Sequence, residues 1–190
     1  MFPSGIIGEK WWKFKNMNFK KRKLAITDLE TTGDIPGVHE IIEVGLVVCD
    51  SKTFEIVDKW SVKVRPLHIE NAIPKAMERN SYKEEDWKEV GNLKEAMEIY
   101  SEKTKDCVFY AYNITFDWGF IIDAFKQTGL ENKMDYHRFD VMSMVYQKFG
   151  KQMESVSSNT ASKIIGIPEE VMPHSALNGA MQAYEMLKRL

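Results

Sequence analysis

Three segments in the first third of the chain have the apolar and polar pattern of β-strands. Residues 24–28 alternate, 41–49 form an apolar run, and 54–65 alternate again through Trp60, Val62 and Val64. Residues 50–52 are typical of a hairpin turn, and 31–37, rich in Gly, Thr and Pro, predict a loop. We therefore predict an antiparallel meander of three strands.

The rest of the chain changes to the longer period of helices. Residues 73–89 are charged and irregular, so we expect helices to begin only after Asn92, a typical N-cap residue. Strands are expected at 107–111 and 138–141; further helices are expected at about 116–127, 141–149 and 156–165, and from Leu177 to Leu187. Strands in a meander, followed by strands alternating with helices, predict an α/β domain with a mixed sheet flanked by helices.

Length and composition favour a single domain in the cytoplasm. The chain has 190 residues, enough to bury a core without disulfides or structural metals. Cys49 and Cys107 lie in apolar runs without metal-ligand spacing, so we expect two reduced core residues. No apolar stretch reaches the roughly 18 residues of a membrane span. We expect a soluble, cytoplasmic protein.

Charge is distributed unevenly along the chain. Residues 1–23 carry seven Lys and Arg against Glu9, a net charge of +6, whereas the whole chain has a net charge of -2. With its four Trp and Phe residues from Trp11 to Phe19, this basic arm could bind phosphates and stack on bases, or lie on an anionic membrane. The interpretation that we favour is a solvated tail. We treat 1–23 as a basic arm and 24–190 as the domain.

Three acidic residues are placed where a metal site could form. Asp28 and Glu30 lie two apart at the end of a strand, so their side chains emerge on the same face. Asp117 follows a buried strand and enters the first turn of a helix. Each observation also has an alternative without a metal. Asp28 and Glu30 could lie at an exposed strand end, and Asp117 could complement the dipole of its helix. In open α/β sheets, however, sites gather where strands end and helices begin.

Three ordered motifs make the chain resemble a known enzyme family. They are DLETTG at 28–33, YNITFD at 112–117 and HSALNGA at 174–180. These are similar to the three motifs of the DEDDh family of 3′-to-5′ exonucleases, which includes the proofreading subunit of bacterial DNA polymerase III, ribonuclease T and oligoribonuclease. The resemblance implies a ribonuclease H-like fold with a five-stranded mixed sheet. It also implies release of nucleoside 5′-monophosphates from the 3′ ends of nucleic acids.

The resemblance further implies the roles of individual residues. Asp28, Glu30 and Asp117 would bind two divalent cations, Mg²⁺ or Mn²⁺, and His174 would be the general base. Leu29 and Thr31 would contact the terminal nucleotide. The expected substrates are single-stranded ends of DNA or RNA, because a strand must be splayed to reach a recessed site. The motifs do not distinguish DNA from RNA, and they do not predict an oligomeric state.

One position departs from the family pattern. The third motif has an aspartate five residues after the histidine, and here that position is Gly179. Glycine offers no side-chain ligand, and neutral Asn178 would point about 100° away around the helix. We therefore expect a folded exonuclease with impaired cleavage. The alternative is a non-catalytic nucleic-acid-binding module descended from one, although loss of chemistry would not be expected to preserve Asp28, Glu30, Asp117 and His174 together.

Overall fold

The protein is built around a five-stranded mixed sheet, as predicted. The computed structural model describes residues 22–170 and 174–190. The strands are β1 (Lys23–Thr31), β2 (Ile41–Asp50), β3 (Ile56–Lys63), β4 (Val108–Ala111) and β5 (Arg138–Asp140), in the spatial order β3-β2-β1-β4-β5. β1 pairs antiparallel with β2 and parallel with β4, so the meander and the parallel half of the sheet meet at β1.

Helices cover both faces of this sheet. They are α1 (Pro74–Arg79), α2 (Leu93–Lys103), α3 (Ile114–Thr128), α4 (Val141–Phe149), α5 (Ser158–Ile165) and α6 (Ala176–Leu187), with short 3₁₀ turns at Ile69–Asn71, Glu84–Trp87 and Gly150–Gln152. Asn92 is confirmed as an N-cap, because its side chain accepts from the Glu95 N–H and Glu95 Oε2 accepts from the Asn92 N–H.

The prediction that helices begin only after Asn92 was wrong. α1 starts at Pro74, whose fixed φ suits the first position of a helix. This helix has six residues and none of them is buried, so no apolar period marks it in the sequence. Several predicted boundaries also move. β1 runs on to Thr31, β3 is shorter than 54–65, α3 begins at Ile114, and α5 begins after the N-cap Ser157.

Two apolar cores lie on opposite faces of the sheet. The core that includes Met97 and Phe120 joins the sheet to α2 and α3, and the core that includes Val145 and Tyr184 joins it to α4, α5 and α6. Successive residues of β1 alternate between these cores, as the two-residue period requires. The cysteines are free and buried as predicted, one in each core.

The predicted basic arm lies outside the described residues except for Arg22 and Lys23. Arg22 does not belong to a solvated arm: it is 6% exposed, and its guanidinium pairs with Asp135 at 2.8 Å. It also donates to the Asp106 carbonyl oxygen at 2.8 Å. The packed domain therefore includes Arg22. Within the described ranges, no helix is both long and apolar enough to cross a bilayer.

The sheet opens at the end of β1. β1 and β4 pair only as far as Ile26 and Tyr110, yet β1 continues to Thr31. Beyond Tyr110 the chain soon turns into α3, so the two parallel strands leave a gap at their carboxyl ends. This is the position at which open α/β sheets bind ligands.

Candidate active site

A cleft of about 430 Å³ occupies the gap at the carboxyl ends of β1 and β4. All seven positions singled out in the sequence contribute to its lining. They are Asp28, Leu29, Glu30, Thr31, Asp117, His174 and Gly179. The structure thus brings together residues from β1, from the first turn of α3 and from the amino end of α6.

β1 directs its two acidic side chains towards α6. Asp28 and Glu30 continue the face of the strand on which Leu24 and Ile26 pack into the core beneath α6. Leu29 lies between them on the other face, and its side chain is buried beside α3. Thr31 is also buried, and its hydroxyl donates to the Gly33 carbonyl oxygen at 2.5 Å.

Asp117 is an unusual buried acid. It is only 3% exposed, and no partner hydrogen bonds to its Oδ1 in the described part of the chain. Burial raises the pKa of Asp117 to about 8, although hydrogen bonds from its own main chain and from that of Leu29 act against this shift. Asp117 is therefore not a solvated first-turn residue that merely complements the helix dipole.

The carboxylates raise one another's proton affinity. The pKa of Asp28 is raised well above its usual value by burial and then by the charges of Asp117 and Glu30. The pKa of Glu30 is raised to about 8 by burial and then by the charge of Glu170. Arg79 acts in the opposite direction on both, but the acids outnumber it. The site favours a bound cation or a bound proton.

His174 is oriented by a glutamate. Its Nδ1 lies 2.7 Å from Oε2 of Glu170, and Oε1 of Glu170 accepts weakly from the Ser175 N–H at 3.4 Å. A carboxylate oxygen of Glu170 can accept a hydrogen bond from Nδ1–H of His174, and in that tautomer the lone pair of the neutral imidazole is on Nε2. Ser175 in turn donates from its hydroxyl to Glu43 at 3.3 Å.

Glu170 is a site residue that the sequence analysis missed. One ligand atom each from Glu30, Glu170 and His174 lie within 4.8 Å of one another, close enough for a shared cation. The Glu170 side chain is 7% exposed, whereas that of the adjacent Glu169 is 44% exposed and pairs with Lys163 at 3.4 Å. The one available signal was an acid four residues before His174, and no periodic element surrounds it.

Helix α1 adds cations to the lining of the cleft. Lys75 and Arg79 line the cleft from α1, and both are exposed. The next residue, Asn80, is buried, and its side-chain amide donates to the Thr31 carbonyl oxygen at 3.0 Å, so the end of α1 is tied to the end of β1. Cations placed here can bind the phosphates of a substrate.

Gly179 lies directly against Asp28. A Cβ built at Gly179 would be 2.3 Å from Oδ2 and 2.6 Å from Cγ of Asp28. The Asp28 carboxylate therefore occupies the space that a side chain at 179 would need. Asn178 is exposed, in agreement with the expectation that it points away.

A second glycine sets how closely α6 approaches the sheet. Gly45 of β2 is the partner of Asp28 in the antiparallel ladder. A Cβ at Gly45 would lie 2.0 Å from the carbonyl carbon and oxygen of Ala176 in the first turn of α6. Glycine here lets the backbone of α6 contact the sheet beside Asp28.

Comparison with known proteins now identifies the family. The family model described as Exonuclease, RNase_T, matches residues 25–187. The chain belongs to this exonuclease family. It is similar to the 3′-5′ DNA exonuclease Cap18 of Escherichia coli, with 26% identity over 90% of this chain and 93% of that protein. A shorter match, with 33% identity over 56% of this chain, is to the 3′-5′ exonuclease DinG of Staphylococcus aureus strain USA300.

Solved structures support the ribonuclease H-like fold. E. coli Exonuclease I in complex with a dT13 oligonucleotide matches 88% of this chain with a TM-score of 0.76 and 16% identity. The chain spans 40% of the Exonuclease I chain and 12% of the DinG protein.

Proposed function

We propose that this protein is a metal-dependent 3′-to-5′ exonuclease of the DEDDh type that acts on single-stranded ends. The observation that supports this most directly is the convergence of Asp28, Glu30, Asp117 and His174 on one cleft. The relatives named above as 3′-5′ exonucleases support the same polarity.

The acidic residues fit divalent cations. Carboxylate oxygens are the ligands that Mg²⁺ and Mn²⁺ prefer, and Asp28, Glu30 and Asp117 supply them. The orphaned Oδ1 of Asp117 fits this role, because a buried carboxylate oxygen without a hydrogen-bond donor is costly unless it has a cation or a proton. When bound, such cations neutralise charge on the scissile phosphate and favour ionisation of a water.

The protein's own residues supply the remaining steps. The ends of β1 and α1 position the terminal nucleotide, with Leu29 and Thr31 beside it and Lys75 and Arg79 near the phosphates. Nε2 of His174 accepts a proton from the attacking water, and Glu170 stabilises the resulting imidazolium at Nδ1. The water oxygen bonds to phosphorus, and the bond from phosphorus to the 3′-oxygen of the preceding nucleotide breaks. That oxygen takes a proton from solvent and remains on the strand as the new 3′-hydroxyl, and a nucleoside 5′-monophosphate leaves.

DNA is the substrate class that we test first. The relative Cap18 is named as a DNA exonuclease, and the Exonuclease I structure contains a dT13 oligonucleotide. Recognition of a 2′-hydroxyl depends on contacts that the three motifs do not specify. An RNA strand of the same sequence is therefore included in the assay below.

We further propose that cleavage is impaired, because Gly179 supplies no carboxylate. Misplacement of cations or substrate by about 1 Å can lower a rate by about 100-fold. Gly179 also gives weight to a second candidate, a nucleic-acid-binding module that has lost its chemistry. The retention of Asp28, Glu30, Asp117 and His174 favours the slow enzyme.

The test compares oligonucleotides labelled at the 3′ or the 5′ end. The protein is incubated at high concentration with single-stranded DNA or RNA in the presence of Mg²⁺, Mn²⁺ or EDTA. We expect immediate, metal-dependent release of the 3′ label as a mononucleotide, and a ladder of shortening products from the 5′-labelled strand.

Two variants on α3 make this test specific. Asp117→Asn should abolish the release. Asp123→Asn should not, because Asp123 is a half-buried acid on the same helix that lies outside the cleft and accepts from Gln127. Retained binding without any metal-dependent cleavage would favour the non-catalytic module.

A further inference from the structure

Glu170 is a carboxylate of the cleft that comes from outside the three motifs. Gly179 has no side chain, and the Asp28 carboxylate occupies the space beside it. With glycine at 179, a fourth acidic group has to come from another segment. Glu170 lies on the segment between α5 and α6, and its side chain lines the same cleft.

We propose that Glu170 is the fourth acidic ligand of the site and replaces the carboxylate that Gly179 lacks in cation binding, although not in the positioning needed for fast cleavage. This inference rests on the proposed metal-dependent exonuclease function. It assigns to Glu170 a direct contact with a divalent cation shared with Glu30, in addition to its hydrogen bond with His174.

Distances and burial support this assignment. A Glu170 ligand atom lies within 4.8 Å of ligand atoms of both Glu30 and His174. The Glu170 side chain is 93% buried, and its negative charge acts on both Asp28 and Glu30. A buried acid beside two other acids is costly, and a shared cation removes that cost.

A further side chain in the cleft independently suggests a missing cation. Asp117 is 97% buried, and its Oδ1 has no hydrogen-bond partner among the described residues. Asp117 lines the cleft that contains Glu170. Unpaired buried polar atoms are typical of a site whose ligand or ordered water completes them.

The test measures Mn²⁺ binding by isothermal titration calorimetry in the full chain. We compare the wild type with Glu170→Gln, with Glu30→Gln as a ligand already proposed, and with Glu169→Gln as the matched control. Glu169 is adjacent in sequence and has the same charge, but it lies outside the cleft. We expect E170Q and E30Q to weaken Mn²⁺ binding by about 10- to 100-fold. E169Q should bind as the wild type does.

The outcomes separate this inference from the proposed function. If E30Q weakens binding but E170Q does not, or if E169Q weakens it as much as E170Q, the role of Glu170 is refuted and the exonuclease proposal stands. If the wild type binds no Mn²⁺, or if E30Q binds it unchanged, both proposals fail.

A second variant tests the replacement itself. Gly179→Asp in the E170Q background should recover Mn²⁺ affinity, because it returns a carboxylate to the site at position 179, next to Asp28. Thermal melting shows whether this double variant folds. A folded double variant that still binds Mn²⁺ as weakly as E170Q contradicts the replacement. If the double variant does not fold, the comparison of E170Q with E169Q alone decides whether Glu170 is a ligand.

Discussion

Substitution of Gly179 is the most informative perturbation of this site. We expect Gly179→Asp to raise the rate of Mg²⁺-dependent release of mononucleotides by about 100-fold, the factor associated with correcting a misplacement of about 1 Å. Gly179→Asn and Gly179→Ala provide controls, since Asn has the shape of Asp without its charge and Ala has only the Cβ. Neither control should gain activity.

The structure allows the effect on stability to be worked out. A Cβ at position 179 would be 2.3 Å from Oδ2 of Asp28, so the carboxylate must move. The Asp28 carboxylate lines a cleft of about 430 Å³ and can rotate into that cleft, at a cost of about 0.5–1.5 kcal/mol for a strained rotamer. Replacing a helical Gly by Ala returns about 1 kcal/mol. We therefore expect the free energy of unfolding of G179A to lie within about 1 kcal/mol of the wild-type value.

The Asp variant adds a negative charge to a site that already has four acids. Without metal, G179D should be less stable than G179N, because every pKa unit by which the new charge raises a neighbouring carboxyl corresponds to about 1.4 kcal/mol at high pH. With bound Mn²⁺, G179D should be more stable than G179N. Thermal melts with EDTA or Mn²⁺ measure this change in stability, and release of a 3′ label measures the change in rate. Equal rates for folded G179D and G179N, or a wild type already as fast as G179D, would refute the reasoning.

Three further predictions concern the buried acids of the site and the packing of α6 against the sheet. The pKa values of Glu30 and Asp117 are raised in the folded state to about 8. Between about pH 5 and 8 the folded protein therefore binds more protons than the unfolded chain does. The stability of the metal-free protein should consequently fall as the pH rises across this range. Thermal melts should show a decrease on the order of 5 °C that Mg²⁺ reverses; a melting temperature that rises with pH contradicts the burial argument. Asp117→Asn should weaken this pH dependence and stabilise the metal-free protein at pH 8 by about 1–2 kcal/mol, as chemical denaturation would show, whereas Asp123→Asn should do neither. Gly45→Ala should destabilise the protein by about 2–3 kcal/mol, because the new Cβ meets the Ala176 backbone at 2.0 Å and backbone cannot rotate away; an unchanged denaturation midpoint would show that α6 moves freely.

Local sequence signals predicted most of the fold. The two-residue period gave the meander, and the capping residue gave the start of α2, since both depend on neighbours in sequence. α1 was missed because six exposed residues cannot show a helical period. Arg22 was assigned to a solvated arm because its partner, Asp135, lies more than 100 residues away in sequence.

The candidate site was predictable for residues that belong to motifs and not for the others. The resemblance selected Asp28, Glu30, Asp117 and His174, and the structure places them around one cleft. Glu170 has no motif to identify it. Only the hydrogen bond to His174 and the proximity to Glu30 distinguish it from Glu169, its neighbour in sequence.

The charge balance of the cleft argues that its residues are retained for binding a cation. Asp28, Glu30, Asp117 and Glu170 face one another, whereas Arg79 is the cation whose charge opposes theirs at both Asp28 and Glu30. Such a cluster lowers the stability of the metal-free fold, and substitutions to neutral residues would relieve that cost. A site without chemistry would be expected to lose these acids one by one. Gly179 removes one acid from the family pattern, but Glu170 keeps the number of carboxylates at four, which is the result expected if cation binding has been maintained.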